Sequence, residues 1–422
     1  MAHPSLHVFV HAMHQLREKL FHGHMRISVP KFPRATSYAR AAAVLLFLVG
    51  LGGSTLAFFR MQESWQTAAY GADTEKARIY KQWFETTKEL SKLKKEDQYV
   101  INKTLEKEIA DIQSTYQGAL GAYEELLKLK DISKNTAKHD DAFAEVLSLL
   151  AKRDYITASS KLSTLRGQIR QASEEIAAAF VIPQNVVQSN VPPGSGYSRQ
   201  SVAADTGTYL VDIISADLGS TRVLVDTASE KDCFNECPVI PLGDYVARSG
   251  AFAGINGSYF CPASYPTCAG KTNSFDTLLM NKNKVYFNSD NNVYSTVPAV
   301  IFMNGSIRFV GQSLEWGRDT SPDGVIANQP LLLSGGAIVF GGDDDPKKGS
   351  KGNRSFVANR GNTVSIGVVH SATVAEVAHV LKTLGMDNAL NLDNGGSTAL
   401  WSGGYKVGPG RNIPNAILFV RK

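Results

Sequence analysis

The sequence changes character between residues 183 and 205, and this change divides the chain into two parts that cannot share one type of fold. Ile182-Pro183 and the run Val191-Pro-Pro-Gly-Ser-Gly196 place proline and glycine where a helix has to end. Residues before this segment have the periodicity of long helices, whereas those after it are rich in glycine and short apolar runs. We therefore predict a linker at 183–205, within a chain of 422 residues that is long enough for two or three domains.

Residues 60–182 are predicted to form a long α-helical hairpin or a coiled-coil stalk. The stretch 72–131 has no proline, and its apolar residues recur at three- and four-residue steps or their multiples. The pattern breaks at Asp131-Ile-Ser-Lys-Asn135, and a second amphipathic run follows at 140–180. Two antiparallel helices, or a stalk that pairs with a second copy of the chain, would each bury the apolar stripe. We expect a spacer that forms a homo-oligomer in the second case.

The segment from Ala41 to Phe59 contains no charged residue and is mostly apolar. A helix needs about 17–25 such residues to span a bilayer, so residues 41–59 are predicted to be a transmembrane anchor. Residues 1–40 contain six Lys/Arg and one acid, a net charge of +5 that equals the charge of the whole chain. This basic tail predicts a cytoplasmic N-terminus and a periplasmic or extracellular C-terminal domain. The rest of the chain sums to zero, which argues against nucleic acid as a partner.

The four cysteines all lie in the part predicted to be outside the cytoplasm. Cys233 and Cys237 are close in sequence, and so are Cys261 and Cys268. An even number in an oxidising compartment indicates two disulfides that close short loops. Four cysteine ligands to zinc are the alternative, but their spacings fit such a site poorly.

Residues 206–422 are predicted to form an α+β domain, a mixed sheet with helices. Thr208–Ile214 and Thr221–Val225 have the pattern of one hairpin, and 299–302 with 306–310 that of another. Thr373 and Glu376 are spaced as a capping box and predict the start of a helix.

Asp393 is the strongest candidate for a functional residue. It follows the apolar run Ala389-Leu-Asn-Leu392 and leads directly into Gly395, Gly396 and Ser397. An acid at the end of a buried strand rarely lacks a partner or a task. Glycines beside it permit a close approach of the backbone to a ligand.

Three further segments accompany this turn: Asn256-Gly-Ser-Tyr-Phe260, Asn353-Arg354-Ser355, and Gly410-Arg411 with Asn415 just before the terminal strand. Together, and in this order, the four segments resemble the phosphodiester glycosidase family, over residues 206–422. The family's Leu-Asp-Gly-Gly-Gly-Ser turn is matched at 392–397, except that Asn394 replaces the first glycine. Its Phe-Phe pair is replaced by Tyr259-Phe260.

The resemblance implies a glycoside hydrolase that cleaves a sugar-1-phosphodiester in a glycan or glycolipid of the cell surface. We expect neither a cofactor nor a metal. The acidic run 343–345 is interpreted as a solvated hairpin tip. A non-catalytic glycan-binding scaffold of the envelope is the first alternative. The second is cleavage of an ordinary glycosidic bond, which needs a second carboxylate, with Asp276, Asp387 and Glu315 as candidates. The predicted catalytic residues are Asp393, Asn256 and Arg354, and those predicted to bind substrate are Gly395, Gly396, Ser397, Arg411, Asn415, Tyr259 and His370.

Overall fold

The computed structural model describes residues 37–288 and 296–422. The chain forms two compact units, one of residues up to Thr104 and one from Leu105 to Lys422. Residues 1–36 of the predicted basic tail, which spans 1–40, lie outside the described residues. The helices are α1 Ser37–Leu93, α2 Asp97–Ile132, α3 Ala137–Ala151, α4 Tyr155–Ala178, α5 Leu242–Ser249, the single turn α6 Pro346–Gly349 and α7 Val374–Thr383.

The strands all lie in the second unit, beyond the helical region. They are β1 Gly196–Ala204, β2 Gly207–Asp217, β3 Thr221–Thr227, β4 Ala253–Asn256, β5 Leu279–Met280, β6 Tyr286–Phe287, β7 Ala299–Met303, β8 Ser306–Val310, β9 Gly324–Ala327, β10 Leu331–Ser334, β11 Ala337–Ile338, β12 Gly352–Arg360, β13 Thr363–Ala372, β14 Asn388–Asn391, β15 Leu400–Ser402, β16 Tyr405–Val407 and β17 Asn415–Arg421. β1 begins inside the segment that we expected to be a linker.

The helical region has the predicted break at 131–135, since α2 ends at Ile132 and α3 begins at Ala137. Two further breaks, at 94–96 and 152–154, were not predicted. The second one carries a local signal, because the Asp154 side chain accepts a hydrogen bond from the Thr157 amide and caps α4.

The predicted membrane anchor at 41–59 lies within α1. Over the described parts of the chain, no helix is both long and apolar enough to span a bilayer.

The C-terminal half of α2 packs with α3 and α4 rather than standing alone. Ala122, Val146 and Leu162 share one apolar cluster of these helices, while Leu126 and Leu165 share the next. This cluster belongs to the same compact unit as the strands. Apolar side chains farther toward the N-terminus are exposed, and self-association through them stays a prediction; among them are Ile79, Trp83 and Leu90.

The strands form three sheets, and the predicted α+β class is confirmed. A seven-stranded sheet has the order β1-β2-β13-β12-β14-β10-β11. Two five-stranded sheets have the orders β16-β15-β4-β17-β3 and β6-β5-β9-β7-β8. All paired strands are antiparallel, so the prediction of a mixed sheet was wrong. Antiparallel neighbours need no crossover helix between them, which agrees with the few helices in this part of the chain.

One predicted hairpin is confirmed and the other is wrong. β7 and β8 pair around the turn at 304–305. β2 and β3, by contrast, belong to different sheets, where β2 pairs with β1 and β13, and β3 with β17. The reason is that β2 is buried on both faces along most of its length, as a central strand must be.

The main core lies where the sheets face one another, and it includes Ile214, Val225, Ile255, Phe302 and Ile366. Helix α7 covers the outer face of the seven-stranded sheet, and its predicted capping box between Thr373 and Glu376 is confirmed. Helix α5 covers the sheet that holds β4 and β17.

Both predicted disulfides are present. Cys233 is joined to Cys237, and Cys261 to Cys268. The second bond closes a short loop that follows β4, the strand that ends at Asn256.

Candidate functional site

The predicted segments meet where two sheets come together. Asn256 is the last residue of β4 and lies opposite Ala416 of the adjacent β17. In the seven-stranded sheet, Asn391 ends β14 and lies opposite Phe356 of β12, next to Ser355. Asp393 follows two residues after Asn391, at the junction of the two sheets.

The Asn256 side chain makes three hydrogen bonds, and those to Asp393 and Ser355 join the two sheets. Its amide nitrogen donates to the Asp393 carbonyl at 2.7 Å. Its amide oxygen accepts from the Ser355 hydroxyl at 2.9 Å and from the Ala399 backbone N–H at 3.1 Å. Asn256 is fully buried, so its amide positions the Asp393 turn from within the protein.

The Asp393 carboxyl group is held in a partly enclosed place. One oxygen accepts from the Asn394 backbone N–H at 2.9 Å. Burial raises the pKa of Asp393 to about 6, against the opposing effects of a hydrogen bond from Ser397 and the charge of Arg411. The nearby Asp276 charge raises this pKa further. At neutral pH the group is therefore mostly a carboxylate that remains able to take up a proton.

Asn394, which replaces a glycine of the family turn, has a clear structural role. Its side-chain oxygen accepts from the Ser355 backbone N–H at 2.8 Å, and its amide nitrogen donates to Asn391 at 3.0 Å. Its φ is −128°, an extended conformation that any residue adopts. The substitution thus adds a hydrogen-bonding amide without straining the turn.

The next two positions do require glycine. Gly395 has a φ of +64°, in the left-handed region. At Gly396, a Cβ atom would collide with the Arg411 guanidinium group and with the Asp131 carboxylate. The turn is therefore shaped so that a cation can lie directly against its backbone.

Arg411 is the cation beside this turn. Its backbone N–H donates to the Gly396 carbonyl at 2.7 Å, and its guanidinium group donates to Asp131 at 3.0 Å. The guanidinium carbon lies 5.4 Å from the centre of the Tyr265 ring, which belongs to the loop closed by Cys261 and Cys268. Asp131 lies at the predicted helix break, and no sequence signal assigned it or Tyr265 to the site.

Arg354, predicted as a catalytic cation, is buried beneath a loop, and its charge acts on the nearby Tyr259. Its Nε donates to the Ala372 carbonyl at 3.0 Å, and its Nη2 donates to the carbonyls of Lys347, at 2.9 Å, and Ser350. Burial lowers its pKa from the ordinary value. These contacts assign to Arg354 the support of residues 347–350.

Tyr259 and Asn415, both predicted to bind substrate, lie close to Asn256. The Tyr259 hydroxyl accepts from the Asn391 amide at 2.8 Å, and burial, with the nearby Asp393 charge, raises the pKa of Tyr259 well above its ordinary range. Its hydroxyl is therefore neutral. Asn415 is buried and accepts from the Ser258 backbone N–H at 2.9 Å, so it too acts within the protein.

The His370 side chain contacts Asp212 and Asn353. Its Nε2 lies 2.6 Å from an oxygen of the buried Asp212, and its Nδ1 lies 3.0 Å from the side-chain oxygen of Asn353. Tyr197 donates to the other oxygen of Asp212 at 2.5 Å. The structure thus places His370 among these groups, on a strand separated from β14 by β12.

Among the carboxylates considered as a second acid, only Asp276 is electrostatically linked to Asp393. Its backbone N–H donates to the Tyr259 carbonyl at 3.1 Å. Asp276 is exposed to solvent. The surrounding protein still removes part of its hydration, and this desolvation raises the pKa of Asp276. Asp387 accepts from the Gly361 backbone N–H at 2.6 Å, a contact outside this group, and Glu315 is exposed.

Two asparagines of the site were not predicted. Asn391 donates to Tyr259 and to the Gln329 carbonyl, and Asn328 donates to the Asn391 carbonyl at 2.8 Å. The Asn328 oxygen accepts from the Tyr259 backbone N–H. Asn391 is fully buried. The only sequence signal for it was a polar residue between Leu390 and Leu392.

Comparison with known proteins gives one family match. Residues 249–420 match the model of the phosphodiester glycosidase family. No curated protein matches the chain.

Two solved structures are similar over about half of the chain. One is a hypothetical protein from Synechocystis, at 14% identity and a TM-score of 0.38, with 53% of this chain covered; the chain spans only 62% of that protein's length. The other is the catalytic domain of zebrafish N-acetylglucosamine-1-phosphodiester alpha-N-acetylglucosaminidase, at 17% identity and a TM-score of 0.42, covering 57% of this chain and 87% of that one. These likenesses are distant, and the assignment of the domain rests on the family match.

Replacing Asn256 with aspartate should destabilise the protein by about 2–4 kcal/mol, because a buried carboxylate oxygen would face the Asp393 carbonyl in place of a donor. Urea unfolding at pH 7 measures the change in the free energy of unfolding. Asn135→Asp, at an exposed position, is the control and should have little effect. A change below about 0.5 kcal/mol for Asn256→Asp would show that the amide does not join the sheets.

Replacing Asp393 with asparagine should stabilise the protein above pH 6. The folded-state pKa of about 6 exceeds the ordinary 3.8, so this group's stabilising contribution is complete below pH 3.8 and is lost as the pH rises through 6. The loss is at most about 3 kcal/mol, and the Asn394 N–H keeps an acceptor in the variant.

Thermal unfolding of both proteins between pH 3 and 8 tests this expectation. The difference in melting temperature should grow between about pH 4 and 6 and then level off. Asp344→Asn, an exposed carboxylate, serves as the matched control. A difference that does not change with pH would contradict the raised pKa of Asp393.

Proposed function

From the premise that residues 249–420 form a phosphodiester glycosidase domain, we propose that this chain hydrolyses the bond between a sugar and phosphate in a surface glycan or glycolipid. The observation that carries the proposal is the pairing of two opposite charges at one glycine turn. Asp393 leads directly into Gly395 and Gly396, and the Arg411 guanidinium group lies against Gly396, close enough for its charge to act on the Asp393 carboxyl group. Cleavage of a sugar-1-phosphodiester needs an anion near the anomeric carbon and cations near the phosphate.

The reaction breaks the bond between the anomeric carbon and a phosphate oxygen, through a transition state with positive charge on the sugar ring. Asp393 is suited to stabilise that charge or to accept a proton from the attacking water, since its pKa of about 6 is close to neutral pH. Water supplies the new hydroxyl group of the sugar, and the phosphate departs as an anion that needs little help from an acid. Arg411 and the backbone N–H groups of 395–397 are suited to receive the phosphate oxygens.

The remaining residues act by holding this arrangement. Asn256 fixes the backbone of Asp393. Asn394 fixes the turn through hydrogen bonds with Ser355 and Asn391. Arg354 supports the loop 347–350 next to the site. We assign these four side chains to positioning, and Asp393 and Arg411 to contact with substrate.

A compartment outside the cytoplasm fits this function. Both disulfides lie in the second unit, and disulfides persist in oxidising compartments. Surface polysaccharides and glycolipids are found there. This setting supports a glycan substrate, and the loop closed by Cys261 and Cys268 carries Tyr265 of the site.

Cleavage of an ordinary glycosidic bond is a second candidate, favoured by the link between Asp276 and Asp393. The Asp276 charge raises the pKa of Asp393, and desolvation raises the pKa of Asp276 itself. Glycosidases that must protonate a poor leaving group use a pair of carboxyl groups, of which the acid has a raised pKa.

Hydrolysis by the purified full chain should distinguish the candidates. We expect turnover of sugar-1-phosphodiesters, including UDP-N-acetylglucosamine, and slower or no turnover of the matching para-nitrophenyl glycosides. Asp393→Asn should reduce the rate by a factor of about 10²–10⁴, while Asp344→Asn should leave it unchanged. Faster cleavage of the glycosides would favour the second candidate, and no turnover with either class would refute both.

Reduction of the disulfides should lower activity, because Tyr265 would lose the covalent closure of its loop. Alkylation with and without reductant, followed by intact mass, should show four thiols only after reduction. A Cys261→Ser/Cys268→Ser variant should lose more activity than the Cys233→Ser/Cys237→Ser control. Thiols that are free before reduction would contradict the oxidising compartment.

A further inference from the structure

One face of helix α2 lies against the catalytic turn. Glu124, Lys128 and Asp131 are spaced by four and three residues, so their side chains share a face of the helix. Glu124 accepts hydrogen bonds from the backbone N–H and the hydroxyl of Thr267. Asp131 accepts from Arg411 at 3.0 Å. Because these contacts lie on either side of Lys128, the Lys128 side chain also faces the catalytic domain.

A second lysine, Lys347, lies close enough to Lys128 for the two charges to repel each other. Arg354 holds the carbonyl of Lys347, and the Lys347 charge is close enough to Lys128 to oppose its protonation. The Lys347 charge also acts on Asp276, whose charge acts on Asp393. The two lysines therefore border the same site as the Asp393 turn.

The charges around these lysines are not balanced by direct contacts. Across residues 37–288 and 296–422, neither the Lys128 nor the Lys347 ammonium group forms an ion pair. Arg411, in contrast, is already paired with Asp131 at 3.0 Å. Besides the nearby charges of Glu124, Glu125 and Asp345, a bound anion can stabilise two such cations that have no ion-pair partner.

We infer that Lys128 and Lys347 form an anion subsite beside the Asp393 turn, which binds phosphate oxygens of the substrate, so that helix α2 is a wall of the active site. This inference rests on the proposed function, and it names the cations that add to Arg411. Lys128 lies outside the residues that match the family, 249–420. The helical region thus contributes to substrate recognition as well as to spacing.

The subsite should respond to pH. Desolvation, and then the Lys347 charge, lower the pKa of Lys128 to about 8, while Glu124, Glu125 and Asp345 act in the opposite direction. A bound anion favours the charged form of Lys128. Affinity for an anion should therefore decrease as the pH rises through 8.

Calorimetric titration of the full chain with inorganic phosphate tests the subsite without requiring turnover. Lys128→Met and Lys347→Met should each weaken binding about tenfold, since each removes one charge-assisted contact of about 1.4 kcal/mol. Lys107→Met, at an exposed position of the same helix, is the matched control and should bind as the wild type does. Unchanged affinity in Lys128→Met, or no phosphate binding by the wild type, would overturn the inference.

Chemical labelling of the wild-type chain avoids any effect of the variants on folding. Pyridoxal 5′-phosphate, fixed with borohydride, should modify Lys128 ahead of exposed lysines, and inorganic phosphate should protect it. Labelling of Lys128 that phosphate does not reduce would count against the subsite. Phosphate binding without sugar-phosphodiester turnover would retain the subsite and refute the proposed function, whereas turnover with an unaffected Lys128→Met variant would do the reverse.

Discussion

The buried amide of Asn256 is the interaction on which the arrangement around Asp393 depends. It joins a strand of one sheet to the other sheet through hydrogen bonds to the Asp393 carbonyl and the Ser355 hydroxyl, and it also accepts from the Ala399 backbone N–H beside its own sheet. A buried amide has both a donor and acceptors to satisfy, so only one relative position of the sheets provides partners for all of them. The same geometry directs the chain after β14 into the turn that carries Asp393.

In the site, a carboxylate that is destabilised by burial is surrounded by hydrogen-bonded asparagine side chains. The Asp393 carboxylate is raised in free energy by its enclosure, as its pKa of about 6 indicates. Around it, the asparagines at 256, 391 and 394 use their amides within the protein, which keeps the turn fixed when the charge changes. Such fixed surroundings are what electrostatic stabilisation of a transition state requires, because they need not reorganise during the reaction.

Local patterns in the sequence predicted local structure well. The helix break at 131–135, the Thr373 capping box, the hairpin of β7 with β8 and Asp393 at a strand end all depend on neighbouring residues. The partners of β2 and β3 could not be predicted in this way, because an apolar strand does not specify which distant strand it joins. The carbonyl partners of Arg354 could not be predicted for a related reason, because they lie on a loop and a strand that only the fold brings near it.

The order of strands in the sheets has a consequence for how the protein is made. β3 pairs along its length with the terminal strand, so that Thr221 lies opposite Arg421. β2 likewise pairs with β13, a strand that comes much later in the sequence. β2 and β3 leave the ribosome well before β13 and β17 are made, which leaves their apolar edges uncovered until those later strands follow. The two short-range disulfides need no such delay, and each can close soon after its second cysteine enters an oxidising compartment.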